Sequence, residues 1–344
     1  MRKIKNALIS VSDKKNLKKI LSTIKKYKIK IISSGGTYKE IKRLGFKCTE
    51  ISEFTGFPEI LSGRVKTLHP KIHSGILSRR IKPDIKQLRK YKFEEIDLVI
   101  INFYPFEDIL SKTNKKNKII ENIDIGGPSL VRAAAKNYKN VTIVSSTDQY
   151  SKLIYELNKF KGATSYNFRR DLSKAAFLET SYYDSLIFDY LNKSSNEVFA
   201  KKKTLFGKKI EELRYGENPH QKAAIYTSNS VDSLHQLSGK KLSYNNYNDL
   251  FSAVKISNSL PKNTGTVIVK HNNPCGVSIN KSKLKSYQMA YNSDPISAFG
   301  GIVSCNFKID RELAKRLSKK FIEIIAGKGF TTEAVRILKK KKNL

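Results

Sequence analysis

Ala7-Leu8-Ile9-Ser10-Val11-Ser12-Asp13-Lys14 and, one helix later, Ile29-Lys30-Ile31-Ile32-Ser33-Ser34-Gly35-Gly36-Thr37 decide the fold of this chain. The first run is apolar enough for a buried strand and ends in polar residues. Leu17, Ile20, Leu21 and Ile24 then recur at i, i+3, i+4 and i+7, the stripe of a helix that buries one face. Ile29 to Ser33 reads as a second strand. Ser34-Gly35-Gly36-Thr37 opens a second helix, which runs through Leu44 and is stopped by Gly45. Strand, helix, strand, helix at this spacing implies a parallel sheet and an α/β fold. In such sheets ligands bind beyond the carboxyl ends of the strands. Ser10 to Lys14 and Ser34 to Thr37 both lie there, and their N–H groups, hydroxyls and helix N-termini suit a phosphate.

Further along, Ser62-Gly63-Arg64-Val65-Lys66-Thr67-Leu68-His69-Pro70-Lys71-Ile72-His73 gathers cations, hydroxyls and imidazoles between few apolar anchors. It reads as an active-site loop bracketed by Gly63 and Pro70. Asp97 to Phe103 is another buried strand, followed by Tyr104-Pro105-Phe106. In Glu121-Asn122-Ile123-Asp124-Ile125-Gly126-Gly127-Pro128-Ser129 the double glycine permits close backbone approach, and Pro128 suits the first turn of a helix. That helix carries Arg132 to Asn137. Asp124 and Lys136 would become partners if the chain folds back between them; alternatively Asp124 is an acid that stabilises a helix N-terminus. Val141 to Ser146 gives a further strand, and Asn167 to Leu191 a long helix covering the sheet.

Asn192 to Asn196 and Lys201-Lys202-Lys203 read as a linker, which places a domain boundary near residue 200. Beyond it, Thr266-Val267-Ile268-Val269 is a strand running into Lys270-His271, an acid–base candidate in which the lysine lowers the pKa of the imidazole. Asn273-Pro274-Cys275-Gly276 follows as a tight loop. Pro274-Cys275 faintly resembles a zinc-deaminase signature, but Ser278 stands where a second cysteine is needed and no H-x-E precedes it. Cys48, Cys275 and Cys305 are far apart, which suggests neither a disulfide framework nor a zinc site.

The chain has 344 residues, 39% hydrophobic, enough for two domains with separate cores. No apolar run spans a bilayer and no signal sequence opens the chain, so the cytoplasm is expected. The net charge of +36 invites a nucleic-acid reading. The lysines, however, are spread over almost every helix face and loop, and only Lys201–Lys203 and Lys339–Lys342 form runs. This pattern points to compositional bias and to attraction of small anionic substrates rather than to a nucleic-acid interface.

In order along the chain, Ser10-Val11-Ser12-Asp13-Lys14, Ser34-Gly35-Gly36-Thr37, Gly63-Arg64-Val65-Lys66-Thr67-Leu68-His69-Pro70, Asn122-Ile123-Asp124-Ile125-Gly126-Gly127-Pro128 and Ala134-Ala135-Lys136-Asn137 resemble the bifunctional purine-biosynthesis family that combines AICAR transformylase with IMP cyclohydrolase. Arg214-Tyr215-Gly216-Glu217-Asn218, Lys270-His271, Asn273-Pro274-Cys275-Gly276 and Ser297-Ala298-Phe299-Gly300-Gly301 extend the resemblance over the second half. It implies a methylglyoxal-synthase-like parallel-sheet domain at 1–200 that closes formyl-AICAR to IMP. At 201–344 it implies the N-terminal part of a cytidine-deaminase-like α/β transformylase. The resemblance places Lys66, Tyr104, Asp124 and Lys136 around the ring-closing groups, and Lys270 and His271 at formyl transfer. Ser10, Ser12, Lys14, Ser34, Gly35, Gly36, Thr37, Arg64, Thr67, Asn102, Gly126 and Gly127 would bind the nucleotide, and Arg214 and Tyr215 the AICAR of the second domain. It also implies 10-formyltetrahydrofolate as co-substrate, no metal held by the residues present, and a homodimer without nucleic-acid or membrane partners. Family members continue past the equivalent of Leu344 with a module completing the folate and AICAR pockets, so the resemblance implies a formyl-transfer site that residues 201–344 build only in part. Two alternatives are a methylglyoxal-synthase-like phosphate-ligand enzyme and a basic nucleic-acid-binding protein.

Overall fold

Five parallel strands build the sheet that the opening stretch predicts: β1 (Asn6–Val11), β2 (Lys30–Ser33), β3 (Thr49–Glu50), β4 (Leu98–Asn102) and β5 (Thr142–Val144). Their spatial order is β3-β2-β1-β4-β5, with Asn6 opposite Lys30 and Val11 opposite Asn102 at the ends of the central pairings. The order reverses between β1 and β4, which creates a switch point where a crevice opens beyond the strand ends. The computed structural model describes residues 1–193, 200–227 and 234–344. It divides into two units, Met1–Phe206 and Gly207–Leu344.

In the first unit α1 (Leu17–Lys26) buries Leu17, Ile20, Leu21 and Ile24, the predicted stripe. α2 (Gly35–Arg43) begins at the Gly-Gly pair and ends before Gly45, whose φ of 81° takes the left-handed conformation that stops a helix. α4 (Gly126–Lys136) packs on both α3 (Pro70–Leu77) and α5 (Tyr166–Asn192), and α4 and α5 also reach the sheet. One continuous core runs from Ile4 to Ala176. The loop expected over 62–73 ends earlier than its composition suggests. His69 caps α3 by accepting the Lys71 N–H at 3.1 Å, and Pro70 supplies a first helical residue that needs no donor. Ile72 and Ile76 are thereby free to enter the core.

The amino end of the sheet is closed by a buried polar cluster. Asp97 accepts the Lys5 and Asn6 N–H groups at 2.9 and 3.3 Å and pairs with Arg80 at 3.5 Å. Arg80 also donates to the carbonyls of Gly75 and Ile96.

Phe206 packs on Tyr182 of α5, so the first unit extends somewhat past the expected boundary at 200. Part of the expected linker, 194–196, lies outside the described residues. The second unit contains a hairpin of β6 (Lys208–Glu212) and β7 (Ala224–Thr227), the helix α6 (Tyr244–Ser259), and four further strands: β8 (Gly265–Lys270), β9 (Asn273–Ile279), β10 (Ile302–Ile309) and β11 (Ile324–Phe330). These four form a sheet in the order β9-β8-β10-β11, antiparallel except for β10 with β11. Asn273 to Gly276 is therefore not a loop but the start of β9. The turn is made instead by His271 and Asn272 alone, both left-handed at φ 52° and 64°. Cys275 lies on the strand, its thiol against the Ile268 carbonyl at 3.6 Å.

Candidate active site

At the switch point of the first unit, side chains join the strand ends before any ligand is considered. Asn102 accepts the Ser12 and Asp13 N–H groups at 2.6 and 2.9 Å and donates to the Asp13 carbonyl at 3.0 Å. It thus fixes the turn after β1 across the crevice. Thr37 does the same from α2: its buried hydroxyl accepts the Val11 N–H and donates to the Val11 carbonyl, each at 3.0 Å. Both residues were expected to touch the nucleotide, and their hydrogen-bonding capacity is instead largely spent on the scaffold. Ser10 and Ser12 are half-buried beside them.

The Gly35–Gly36 turn beside them is a cationic cradle. A β-carbon at Gly35 would lie 3.4 Å from the Lys66 ammonium, and one at Gly36 would lie 4.0 Å from that of Lys14. Two cations therefore converge on the N-terminus of α2, where unpaired N–H groups already favour an anion. Gly35 itself sits at φ 51°, a conformation that costs other residues about 1–2 kcal/mol. Ser34 is buried at the N-cap, yet its hydroxyl makes no cap hydrogen bond and no other among the described residues. A buried hydroxyl left unpaired is costly, and an oxyanion in the turn would satisfy it.

The loop before α3 delivers Lys66. Leu61, Ser62 and Gly63 are all left-handed, and the strained turn is held by paired backbone hydrogen bonds between Ile60 and Val65. Arg64 turns outward to an ion pair with Glu121. Lys66 is half-buried and pairs with Glu59 at 3.5 Å. Thr67 is buried, its hydroxyl 2.6 Å from where a β-carbon on Gly126 would stand. That approach, together with the one between Gly127 and the Asp124 carboxylate, explains the double glycine: a β-carbon at 126 would press on Thr67 of the loop, and one at 127 would displace the Asp124 carboxylate.

Asp124 is the acid of the site. One carboxylate oxygen accepts the Gly127 N–H at 2.8 Å, and its own N–H donates to the Tyr183 hydroxyl at 2.8 Å. Burial pushes its carboxyl above the usual range, against the lowering effects of the Gly127 N–H and the Lys66 charge. The acid that accepts an N–H of the first turn of α4 thus also keeps a second carboxylate oxygen for other contacts. Tyr104 follows β4 and is exposed. Lys136 is not brought to this site. α4 is one unbroken helix, so Lys136 stands about 15 Å along the axis from Gly126, exposed at the far end. Glu59 and Tyr183 are additions the sequence did not reveal; an isolated acid and a tyrosine within a long helix carry no local signal.

In the second unit the predicted residues gather around the β8–β9 turn and the N-terminus of α6. Lys270 donates to the Phe299 carbonyl at 2.5 Å. Asp249 of α6 accepts the His271 and Asn272 N–H groups at 3.2 and 2.7 Å and so supports the two left-handed residues. The His271 ring is on an exposed residue. Arg214 stacks on Tyr215 at 4.7 Å and donates to its hydroxyl at 3.0 Å. Tyr215 accepts the Tyr244 N–H at the start of α6 through its carbonyl. Among the described residues no group of three or more His, Cys, Asp and Glu is placed to hold a metal ion, and no helix is long and apolar enough to cross a membrane.

Comparison with known proteins gives this geometry its relatives. The AICARFT/IMPCHase bienzyme family model matches residues 134–344, and the MGS-like domain model matches 16–129. The bifunctional purine biosynthesis protein PurH of Persephonella marina is 47% identical over 350 residues, covering 99% of this chain and 68% of that protein. The PurH proteins of a Thermoanaerobacter species and of Listeria monocytogenes are 45% and 44% identical with the same coverage. The chain thus spans about two thirds of the length of these relatives. Among solved structures, that of ForH is similar at 29% identity and a TM-score of 0.50, covering 55% of this chain and 99% of ForH.

Proposed function

The chain belongs to the AICARFT/IMPCHase bienzyme family, and from that premise we propose that its first unit closes formyl-AICAR to IMP, the final step of purine-nucleotide assembly. The ribose phosphate sits in the Gly35–Gly36 cradle, met by Lys14, Lys66, the Ser34 hydroxyl and the N-terminus of α2. The carboxamide nitrogen then attacks the formyl carbon of the same molecule. As the N–C bond forms, the nitrogen gives up one proton and the formyl oxygen gains negative charge; that oxygen then leaves as water with this proton, handed on to it, and a second from the formamide N–H, as the ring C=N bond forms. Asp124 takes the first proton, a task for which its burial-raised basicity suits it. Lys66 faces the oxyanion, and the N-terminus of α4 adds a positive dipole to the same space. The reaction is intramolecular, so holding the two groups together supplies much of the acceleration.

The observation that carries this reading is Lys66, whose ammonium borders the phosphate cradle and whose charge acts on the Asp124 carboxyl. The test is conversion of formyl-AICAR to IMP, followed spectroscopically, by the chain and by Lys66→Ala and Asp124→Ala. Each variant is expected to lose about 10²–10³ in kcat. Retained turnover in either would sink the assignment.

The second unit carries the formyl transfer from 10-formyltetrahydrofolate to the AICAR amine, with Lys270 and His271 as the proton-handling pair and Arg214 and Tyr215 as the nucleotide contact. His271 accepts a proton from the attacking amine. Supplying AICAR and 10-formyltetrahydrofolate to the same preparation tests this independently of ring closure. A homodimer acting on purine nucleotides in the cytoplasm completes the proposal, with light scattering as the check on assembly.

A further inference from the structure

We propose that Tyr183 is a positioning residue for the Asp124 carboxylate and for the loop carrying Tyr104; this rests on the cyclohydrolase reading above. Tyr183 projects from the middle of α5, far from the site in sequence, and is only 5% exposed. Its hydroxyl accepts the Asp124 N–H at 2.8 Å. Its ring packs 5.0 Å from that of Phe103 and 6.1 Å from that of Phe106, the residues that flank Tyr104-Pro105. One buried side chain therefore braces both segments that border the reacting groups.

The arrangement leaves Asp124 held at two points. Its main chain is tied to a helix whose Leu172 and Ala176 join the core of the unit, and one carboxylate oxygen is tied to the Gly127 N–H. Only the second oxygen remains for the substrate. Burial pushes the Tyr183 phenol up to about 12, so it stays neutral and adds no charge that would repel the carboxylate. Its place is to fix direction. A carboxylate swinging on a free loop would lose the alignment on which proton transfer depends.

Tyr183→Phe keeps the ring packing and removes only the acceptor. Steady-state ring closure of formyl-AICAR is the assay, run on wild type, Tyr183→Phe, Asp124→Asn and the double variant. The expected result is a kcat about tenfold lower in Tyr183→Phe, with KM within twofold of wild type and a melting midpoint lowered by only a few degrees. In the Asp124→Asn background the same substitution should change the residual rate by less than twofold, which a merely structural role would not produce. A displaced amide ¹⁵N–¹H resonance for Asp124 in Tyr183→Phe reads the lost hydrogen bond directly. If wild type closes the ring and Tyr183→Phe keeps its kcat within twofold, or loses it equally in both backgrounds, the positioning role is overturned. A wild-type chain that binds formyl-AICAR but does not cyclise it overturns the cyclohydrolase reading, and the inference with it.

Discussion

Replacing Gly127 with alanine should separate catalysis from stability in the first unit. A β-carbon there would sit 3.0 Å from the carboxyl carbon of Asp124 and closer still to one of its oxygens. Carbon atoms settle at about 3.5–4.0 Å, so the carboxylate must retreat by roughly 0.5–1 Å. Gly127 is not among the left-handed residues, so alanine suits its backbone. The obstacle is also the end of a single side chain, which can move without disturbing the core. The fold should therefore lose little. Weakening the hydrogen bond to Asp124 costs about 0.5–1.5 kcal/mol, and alanine recovers up to about 1 kcal/mol of helix propensity. Chemistry has no such compensation. A misplacement near 1 Å costs about 10²-fold, equivalent to about 2.7 kcal/mol of transition-state stabilisation. The assay is ring closure of formyl-AICAR beside urea unfolding of the same protein. The expected outcome is kcat down by 10- to 100-fold with a midpoint close to wild type. A variant that unfolds more easily but turns over normally would refute the argument, because it would show that the glycine serves packing and not the placement of Asp124.

Three further outcomes follow from buried or strained groups. Asp124 has a carboxyl raised by burial, so its ionisation costs stability as pH climbs from the ordinary carboxylate range through its folded pKa; Asp124→Asn should melt higher than wild type at pH 7 and equally at pH 3, and identical curves at both pH values would contradict the burial argument. Asp97→Ala leaves the Lys5 and Asn6 amides without their acceptor and takes one of two carboxylates from Arg80, which keeps Glu95, a loss of about 2–4 kcal/mol by denaturant unfolding. Asp249→Ala removes the carboxylate that holds the turn after β8, and hydrogen exchange at the His271 and Asn272 amides should quicken by about tenfold or more, whereas unchanged rates would mean the turn holds itself.

What was legible in the sequence is what local periodicity encodes. The apolar runs at 7–12 and 29–33, with a helical stripe between them, were enough for a parallel sheet, and Gly45 marked the end of α2 correctly. Signals failed where distant groups decide the local conformation. His271-Asn272 lacks the glycine usual in a two-residue hairpin turn, so the chain there read as a loop running on through Gly276. The turn forms because Asp249, a turn and a half into α6, satisfies both of its amides. The same cause hid the partners of the site. Glu59 and Tyr183 become visible only when the fold brings them to Lys66 and Asp124. Lys136 illustrates the reverse case: its sequence proximity to Asp124 is undone by the straightness of the helix between them.

The placement of the half-buried Asp124 among so many lysines has a physical logic. In a chain of net charge +36 the long-range field should favour ionised carboxylates. Asp124 nevertheless shifts the other way, because desolvation acts at contact whereas the field of exposed lysines is screened by solvent within about 10 Å. Lys66 alone is close enough to oppose it, and Lys66 is shared with Glu59. A phosphate entering the Gly35–Gly36 cradle brings negative charge beside the same ammonium and offsets its pull on the Asp124 carboxyl. Substrate binding would thus make Asp124 a stronger base at the moment a proton must be taken, while the Tyr183 and Gly127 anchors hold the carboxylate in place.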